Sequence, residues 1–319
     1  MAASNPPAAA LAPSIWGIES LVAHCRGEEP IRMAVVHPCD ALSLAGALDA
    51  RDAGIVQPVL VAPRAKLLAV AEAAGLDLSD CEIVEVPHSH AAAATAAAMA
   101  SRGEVAALMK GSLHTDEYLR AILDPAVGLR TERRLSHCYV METSAYPRPF
   151  IITDAAINIA PTLEHKADIV RNAIELAHTL GVATPKVAIL AAVETINPRM
   201  QSTLDAAALC KMADRGQIKG GLLDGPLALD NAVSMDSARV KGIDSTVAGR
   251  ADVLVVPDVE SGNMLAKQLE FLGEADSAGI VMGARVPVVL TSRADSRQAR
   301  LASCAIALLL AQRYRRKPP

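Results

Sequence analysis

Aromatic side chains are scarce in this sequence, which has one tryptophan, four tyrosines and two phenylalanines among 319 residues. Proteins that bind nucleic acids need a basic face and, for single strands, aromatic stacking platforms. This chain instead carries a net charge of -4 with both signs mixed along it. We therefore expect no nucleic acid among its partners.

Long apolar runs are also missing. The longest, residues 304–311, lies in a helical pattern that carries Arg300 and Arg313, and it is too short to cross a bilayer. No positively charged, apolar signal segment opens the chain, and the six cysteines include no C-x-x-C pair. We expect a protein of the reducing cytoplasm that does not associate with membranes.

Several well-known site motifs are absent too. The eight histidines show no H-E-x-x-H or paired metal spacing, so no metal site is predicted. The sequence has no G-x-x-x-x-G-K-[ST] loop, no G-x-G-x-x-G fingerprint and no G-x-S-x-G elbow. A phosphate site in this chain must therefore use another geometry.

What the chain does contain, from Met33 onward, is an alternation of short β-branched runs with helical patterns. We predict strands at residues 33–37, 56–62, 82–86, 105–109, 186–193, 253–257, 279–282 and 286–291. We predict helices at residues 41–53, 64–74, 90–102, 115–123, 164–180, 202–214, 261–272 and 296–314. Because the strands are apolar throughout, this order predicts an α/β protein with mostly parallel sheets covered on both faces.

The length of the chain favours two domains over one. Residues 1–13 are rich in Ala and Pro, which is typical of a flexible tail. The composition changes around residues 130–149, where arginines and prolines cluster, so we place a domain crossing there.

Polar groups follow the strand that begins near Val286: Thr291, Ser292, Arg293 and Asp295 precede a helix that starts near Ser296. Hydroxyls, a guanidinium and a helix N-terminus together favour an anion, with phosphate as the natural ligand. Two simpler readings stay open. Ser292 is compatible with a turn hydroxyl, and Asp295 is compatible with a helix N-cap because Gln298 stands three residues later.

Two further strand ends carry polar groups, since ligands in open α/β sheets bind at the carboxyl ends of strands. The first comprises Lys110, Gly111, Ser112 and Thr115, with Thr115 as the expected helix cap and Arg120 one to two turns into the helix. The second comprises Gly262, Asn263 and Lys267, which are compatible with a cofactor groove. The alternative there is that Ser261 only caps the helix, and Asp154 on a nearby loop equally fits a turn cap.

Five segments, in order, resemble the phosphate acetyltransferase and phosphate butyryltransferase family. They are Lys110 to Thr115, Ile152 to Asn158, Asp205 to Leu209, Leu223 to Ala228 and Gly283 to Asp295. The similarity covers nearly everything from Met33 onward. It most resembles the transferase half of the form fused elsewhere to an N-terminal enoyl-CoA hydratase domain, for which we expect no room in this chain.

The resemblance implies a fold like that of isocitrate and isopropylmalate dehydrogenases, with two doubly wound, mostly parallel α/β domains around a cleft. Residues 14–138 with 285–319 would form the first domain and residues 139–284 the second. It also implies the reversible conversion of acyl-CoA (acetyl or butyryl) and phosphate into acyl phosphate and CoA, through a ternary complex without an acyl-enzyme. Coenzyme A would be a substrate, no cofactor would be bound permanently, and a homodimer is expected.

Carried onto this chain, the family's catalytic serine and arginine fall on Ser292 and Arg293, and its phosphate-contacting arginine on Arg120. The acetyltransferases place an aspartate at the position of Ala299, whereas the butyryltransferase-like branch shows Ser-Arg-x-Asp, so Asp295 is the nearest substitute. The predicted phosphate site adds Lys110, Gly111, Ser112 and Thr115. The predicted CoA site is Gly262, Asn263 and Lys267.

Two other functions compete with this reading. One is an NAD(P)-dependent dehydrogenase of the same architecture, although its metal-binding aspartates and Lys-Tyr pair cannot be assembled from the sequence. The other, suggested by Ala299, is a catalytically silent protein that binds CoA or acyl phosphate. An assay of phosphate-dependent CoA release separates the three.

Overall fold

The computed structural model of the protein describes residues 16–291 and 295–319, which form eleven strands and eleven helices. The strands are β1 (Ile31–Val36), β2 (Val56–Ala62), β3 (Glu82–Glu85), β4 (Ala107–Lys110), β5 (Ser136–Glu142), β6 (Phe150–Thr153), β7 (Lys186–Leu190), β8 (Leu222–Leu227), β9 (Val253–Val255), β10 (Asp276–Met282) and β11 (Val288–Val289). The helices are α1 (Ile18–Cys25), α2 (Ala41–Asp52), α3 (Arg64–Ala74), α4 (Ser89–Ser101), α5 (Thr115–Ile122), α6 (Leu163–Thr179), α7 (Gln201–Asp214), α8 (Leu229–Val233), α9 (Met235–Val240), α10 (Val259–Leu272) and α11 (Arg297–Arg316).

All of these strands pair into one sheet in the order β3-β2-β1-β4-β11-β10-β5-β6-β9-β7-β8. Seven of the ten neighbouring pairs are parallel. The three antiparallel pairs, β11 with β10, β10 with β5 and β5 with β6, lie together in the middle. The predicted α/β class with a mostly parallel sheet is therefore confirmed.

Helices cover the sheet unequally on its two faces. On one face, α1, α2, α3, α6, α7 and α11 pack on a single apolar core that runs along the sheet. On the other, α4 and α5 cover one core, and α8, α9 and α10 cover a second. The second face thus has two separate helical layers, and the boundary between them falls at β10 and β5. The predicted domain limits, near residues 138 and 285, fall on β5 and just after β10, and they stay a prediction.

Eight predicted strands and eight predicted helices are present, with shifted ends, but β5, β6 and β8 were not predicted. β5 begins with the polar residues Ser136 and His137, so its sequence does not show the continuous apolar run from which the other strands were predicted. β8 contains Gly225 and Pro226, which normally interrupt strands. Pro226 is tolerated because β8 is the last strand of the sheet and pairs only with β7. Across the described ranges, no helix is both long and apolar enough to cross a membrane.

Candidate active site

The carboxyl ends of β1, β4 and β11 lie side by side because these strands are parallel neighbours. Gly111 follows β4 and approaches the end of β1 very closely. A Cβ atom on Gly111 would lie 2.5 Å from the carbonyl oxygen of Val36 and 2.6 Å from that of His37. The backbone N–H of Gly111 donates to Val36 over 2.9 Å, so only glycine fits at this junction.

Ser112 ties the same two strand ends together. Its hydroxyl donates to the carbonyl of His37 (3.0 Å) and accepts from the backbone N–H of Cys39 (3.1 Å). His37 has a left-handed backbone, with φ of 55°, and burial lowers the pKa of its imidazole. The predicted phosphate-binding hydroxyl of Ser112 is thus already engaged in holding the β1–α2 loop.

A small cavity lies beside this junction. It is lined by Asp40, Leu42, Ser43, Lys110, Gly111, Thr291 and Arg300. Asp40 is the N-cap of α2, and its carboxylate accepts from the backbone N–H (2.9 Å) and the hydroxyl (2.7 Å) of Ser43. The cavity therefore combines two cations, a backbone turn and a helix N-terminus, which is an arrangement suited to an anion.

Arg300 was not predicted as a site residue. Long cationic side chains on helices are usually exposed, and the sequence offers no direct sign that this one is not. A signal was present, however: Arg300 stands three, four and seven residues before the buried Ser303, Cys304 and Ala307. That spacing places it on the buried face of α11.

The start of α11 corrects one predicted alternative. Ser296, not Asp295, is the N-cap, and its hydroxyl accepts from the backbone N–H of Ala299 over 3.0 Å. The hypothesis that Asp295 caps the helix is therefore wrong, because the adjacent serine takes that position. Ser292 and Arg293, the predicted catalytic pair, lie outside the described residues.

The helix after β4 brings a second correction. His114 occupies the N-cap position of α5 and makes no side-chain cap, while Thr115, the predicted cap, is the first helical residue. Arg120 is exposed and makes no hydrogen bond or ion pair with the part of the chain that the structure describes. Its guanidinium is available to an anion from solvent.

Asp154 caps a tight turn after β6, in agreement with one of its two predicted roles. This buried carboxylate accepts backbone N–H groups from Ala156 (2.9 Å), Ile157 (3.0 Å) and Asn158 (3.1 Å), and it also accepts from the Asn158 amide. Four donors on one carboxylate make this loop a rigid element.

The predicted CoA residues lie on α10, which packs on that turn. A Cβ on Gly262 would lie 2.6 Å from the carbonyl oxygen of Asp154, and Asn263 donates its side-chain amide to the carbonyl of Ala155 (3.2 Å). The cap of α10 is Asp258, which accepts from the backbone N–H of Ser261 (2.8 Å), so Ser261 is not the cap. Both Gly262 and Asn263 thus serve helix packing.

Lys267, one to two turns later, faces a different neighbour. Its ammonium lies 2.6 Å from a carboxylate oxygen of Glu270 and 5.9 Å from the centre of the Tyr139 ring. Tyr139 in turn lies within electrostatic range of Asp295, and burial, followed by Asp295 and Glu270, raises the pKa of its phenol. Lys267 and Tyr139 therefore connect α10 with the start of α11.

His137 lies on β5 at the boundary between the two helical layers. It pairs across the sheet with Val281 of one core, while Tyr139 belongs to the other. The two rings stack edge to face with centroids 4.3 Å apart. His137 is fully buried, neither ring nitrogen has a hydrogen-bond partner in the described structure, and burial lowers its pKa to about 4.

A larger basic groove lies elsewhere, between α6, α7 and the end of α11. Its arginines form ion pairs with carboxylates: Arg133 and Arg313 both pair with Glu175, and Arg171 pairs with Asp168 at 2.8 Å. Among the predicted site residues that the structure describes, none lines this groove. Within the described ranges, no group of three or more histidines, cysteines or acidic residues is placed to hold a metal ion.

Comparison with solved structures places this fold among the phosphotransacylases. A branched-chain phosphotransacylase from Enterococcus faecalis superposes with a TM-score of 0.78 at 30% identity, covering 88% of this chain and 99% of that one. The fold of this chain, with its mixed eleven-stranded sheet, is thus that of a phosphotransacylase.

The sequence comparisons are more specific. A family model described as phosphate acetyl/butaryl transferase matches residues 89–308. A phosphate acetyltransferase of Rhizobium meliloti is 58% identical over 297 residues, covering 93% of this chain and 94% of that protein. A phosphate butyryltransferase of Clostridium acetobutylicum is 42% identical over 297 residues, covering 93% of this chain and 99% of that protein. The chain belongs to the phosphate acetyltransferase and butyryltransferase family and is an acyltransferase, so neither the dehydrogenase nor the silent binding protein is supported.

The buried imidazole of His137 predicts a pH-dependent stability. The unfolded chain takes up a proton near the ordinary pKa of 6.5, whereas the folded chain does so only near 4. The corresponding stability is fully present above pH 6.5 and is lost as the pH falls towards 4, by up to about 3 kcal/mol. We expect His137→Phe, which keeps the ring stack, to flatten the free energy of unfolding between pH 6.5 and 4 in urea titrations.

The exposed His24 supplies the matched control, since His24→Gln should leave that slope as in the wild type. An unchanged slope in His137→Phe would contradict the assignment of a neutral, buried His137.

Proposed function

We propose that this acyltransferase converts acyl-CoA and inorganic phosphate, reversibly, into acyl phosphate and CoA, in a ternary complex without an acyl-enzyme. The observation that carries the proposal is the cationic cavity lined by Lys110, Gly111, Thr291 and Arg300. Thr291 directly precedes, in the sequence, the residues that match the family's catalytic motif. The names of its relatives, phosphate acetyltransferase and phosphate butyryltransferase, support the same reaction.

The reaction is a nucleophilic acyl substitution that proceeds by addition and then elimination. A phosphate oxygen attacks the thioester carbonyl carbon, the resulting tetrahedral oxyanion collapses, and the carbon–sulfur bond breaks. The proton of hydrogen phosphate is transferred to the departing thiolate, so atoms and charges balance. The protein must hold phosphate in line with the thioester and stabilise the oxyanion, and both needs are met by fixed cations and donors.

Ser292 and Arg293 are the residues to which we assign oxyanion stabilisation. They follow Thr291, which lines the cavity, and they precede α11, whose first-turn N–H groups add positive potential. We assign phosphate binding to Lys110, Gly111 and Arg120. We infer that Ser112 and Thr115 support this site through the backbone, because the hydroxyl of Ser112 is already engaged.

Asp295 is the residue to which we assign proton transfer. Because Ser296 provides the helix cap, the carboxylate of Asp295 is not needed for capping. The requirement on it is modest: a thiol with a pKa of about 8.5 is a few per cent ionised at pH 7, so complete ionisation gains roughly 30-fold, or about 2 kcal/mol. The replacement of the acetyltransferase aspartate by Ala299 is therefore compatible with activity.

We assign CoA binding to the surface of α10 that carries Lys267. Lys267 contributes a cation beside Tyr139, on the side of α10 that leads to Asp295. Gly262 and Asn263 fix the start of the helix against the Asp154 turn, which keeps Lys267 in place. We assign no acyl chain length, because one methylene more or less in an apolar pocket changes the free energy of discrimination between two acyl groups by only about 1 to 3 kcal/mol.

The direct test is release of free thiol from acetyl-, propionyl- and butyryl-CoA by the purified protein. We expect release that depends on inorganic phosphate and does not need NAD or an added divalent metal. Thiol release that is absent with all three substrates, or equal with and without phosphate, would defeat the proposal.

Removal of the Arg293 guanidinium should abolish most of the activity. We expect Arg293→Ala to slow acyl transfer by at least about 100-fold, which is the usual effect of losing one electrostatic stabiliser of the transition state. Arg297→Ala is the control: this arginine is 70% exposed and pairs with Asp49 at 2.7 Å. Near wild-type turnover in a folded Arg293→Ala variant is the result that speaks against the role.

The role of Asp295 can be separated from helix capping with a second pair of variants. In the direction from acyl phosphate to acyl-CoA, Asp295→Asn should reduce the rate about 30-fold at pH 7, and the deficit should shrink towards pH 8.5 as the thiol ionises unaided. Asp295→Asn should not remove the helix cap, because Ser296 provides it. Ser296→Ala should instead lower the free energy of unfolding by about 1 kcal/mol.

An Asp295→Asn variant with an unchanged rate, or one whose loss does not depend on pH, would show that Asp295 does not transfer the proton.

A further inference from the structure

Arg300 is held in the protein interior by two helices. It lies in the first turn of α11 and is only 8% exposed. Its stem packs on Gly46 of α2, where a Cβ atom would lie 2.8 Å from Cδ of Arg300. The glycine therefore leaves room for the arginine, and the side chain has little freedom to turn to solvent.

The charge of this guanidinium has no internal counter-ion in the described part of the chain. Arg300 donates from Nη1 to the backbone carbonyl of Asp295 over 2.5 Å, and its Nε has no hydrogen-bond partner. No carboxylate of the described residues forms an ion pair with it, and the Asp40 carboxylate in the same cavity already accepts from Ser43. A buried cation without a partner is costly, so an anion from outside would relieve a real penalty.

We propose that Arg300 binds the phosphate that is transferred, as inorganic phosphate or as the phosphoryl group of the acyl phosphate. The inference rests on the proposed function and adds to it a residue that the family motif does not supply. Arg300 provides a planar, multidentate donor, and Lys110 provides a second cation on the same cavity wall.

The rest of the cavity fits a small anion. Thr291 offers a hydroxyl group, and the 12-residue α2 directs its N-terminus there through its cap, Asp40. The guanidinium of Arg300 forms no ion pair with a carboxylate of the described residues, so a single phosphate matches its charge.

A purely structural role for Arg300 makes a different prediction. If Arg300 only fixes the backbone of Asp295, its loss should lower turnover without a specific effect on phosphate. Arg300→Met keeps an apolar stem and removes the charge, whereas Arg300→Lys keeps the charge and loses the planar fork. Arg297→Met, three residues earlier on the same helix and exposed, is the matched control.

We would measure the Kd of inorganic phosphate by calorimetry and the KM of phosphate and of acyl-CoA separately. Arg300→Met should weaken the Kd and raise the KM of phosphate by about 10-fold or more, the usual scale for a lost hydrogen bond to a charged group. The KM of acyl-CoA should change less than about 2-fold, Arg300→Lys should lie between the extremes, and Arg297→Met should equal the wild type.

An unchanged phosphate Kd in folded Arg300→Met would overturn the proposal, and so would a change confined to the KM of acyl-CoA, which would place a CoA phosphate in the cavity. If Arg300→Met does not fold, Arg300→Lys decides by the same two readouts. The binding measurement needs no turnover. A wild-type protein that binds phosphate in an Arg300-dependent way but transfers no acyl group would thus refute the proposed function and leave only the phosphate-binding role of Arg300 standing.

Discussion

The site depends on how closely two strand ends meet at Gly111. Because the carbonyl groups of Val36 and His37 stand where a side chain would begin, β4 can turn directly beneath the loop that opens α2. That contact brings Lys110 and the capped start of α2 to the same cavity, and parallel pairing with β11 adds Thr291. A residue with a Cβ at this position would separate the strand ends and with them the cations.

Cationic side chains that lie close together need negative charge nearby, which comes either from a bound ligand or from carboxylates of the protein. The basic groove at the end of α11 illustrates the second solution, since each of its arginines forms an ion pair with Glu175 or Asp168. The strand-end cavity follows the first solution, since within the described residues Arg300 donates only to the backbone carbonyl of Asp295 and forms no ion pair with a carboxylate. The contrast explains why the smaller cavity, and not the larger groove, is the better candidate for catalysis.

Much of this could be predicted from the sequence, because apolar strands that alternate with helices leave few architectures, and ligands bind where parallel strands end. The strand-end residues Lys110, Gly111 and Thr291 do lie together in the structure. Arg300 could not be found from the strand ends because it lies on α11. Its helical spacing indicates the buried face of that helix, but the room for its side chain comes from Gly46 of α2, which the spacing does not show. The caps were also ambiguous, because Asp295 and Ser296 are both good capping types in adjacent positions, and only the backbone decides between them.

The two halves of the sheet meet at His137 and Tyr139, whose rings stack edge to face. His137 lies within electrostatic range of Asp154. Tyr139 lies near the ammonium of Lys267 and within electrostatic range of Asp295. We expect phosphate to bind in the strand-end cavity, on one side of this junction, and CoA to bind beside α10, on the other. A crystal structure of the protein with arsenate, a phosphate analogue whose arsenic can be located by anomalous scattering, tests this most directly. We predict an arsenic peak in the strand-end cavity, with arsenate oxygens within hydrogen-bonding distance of Lys110 and Arg300. A peak in the groove beside Arg171 and Lys219, with none in the strand-end cavity, would contradict the account.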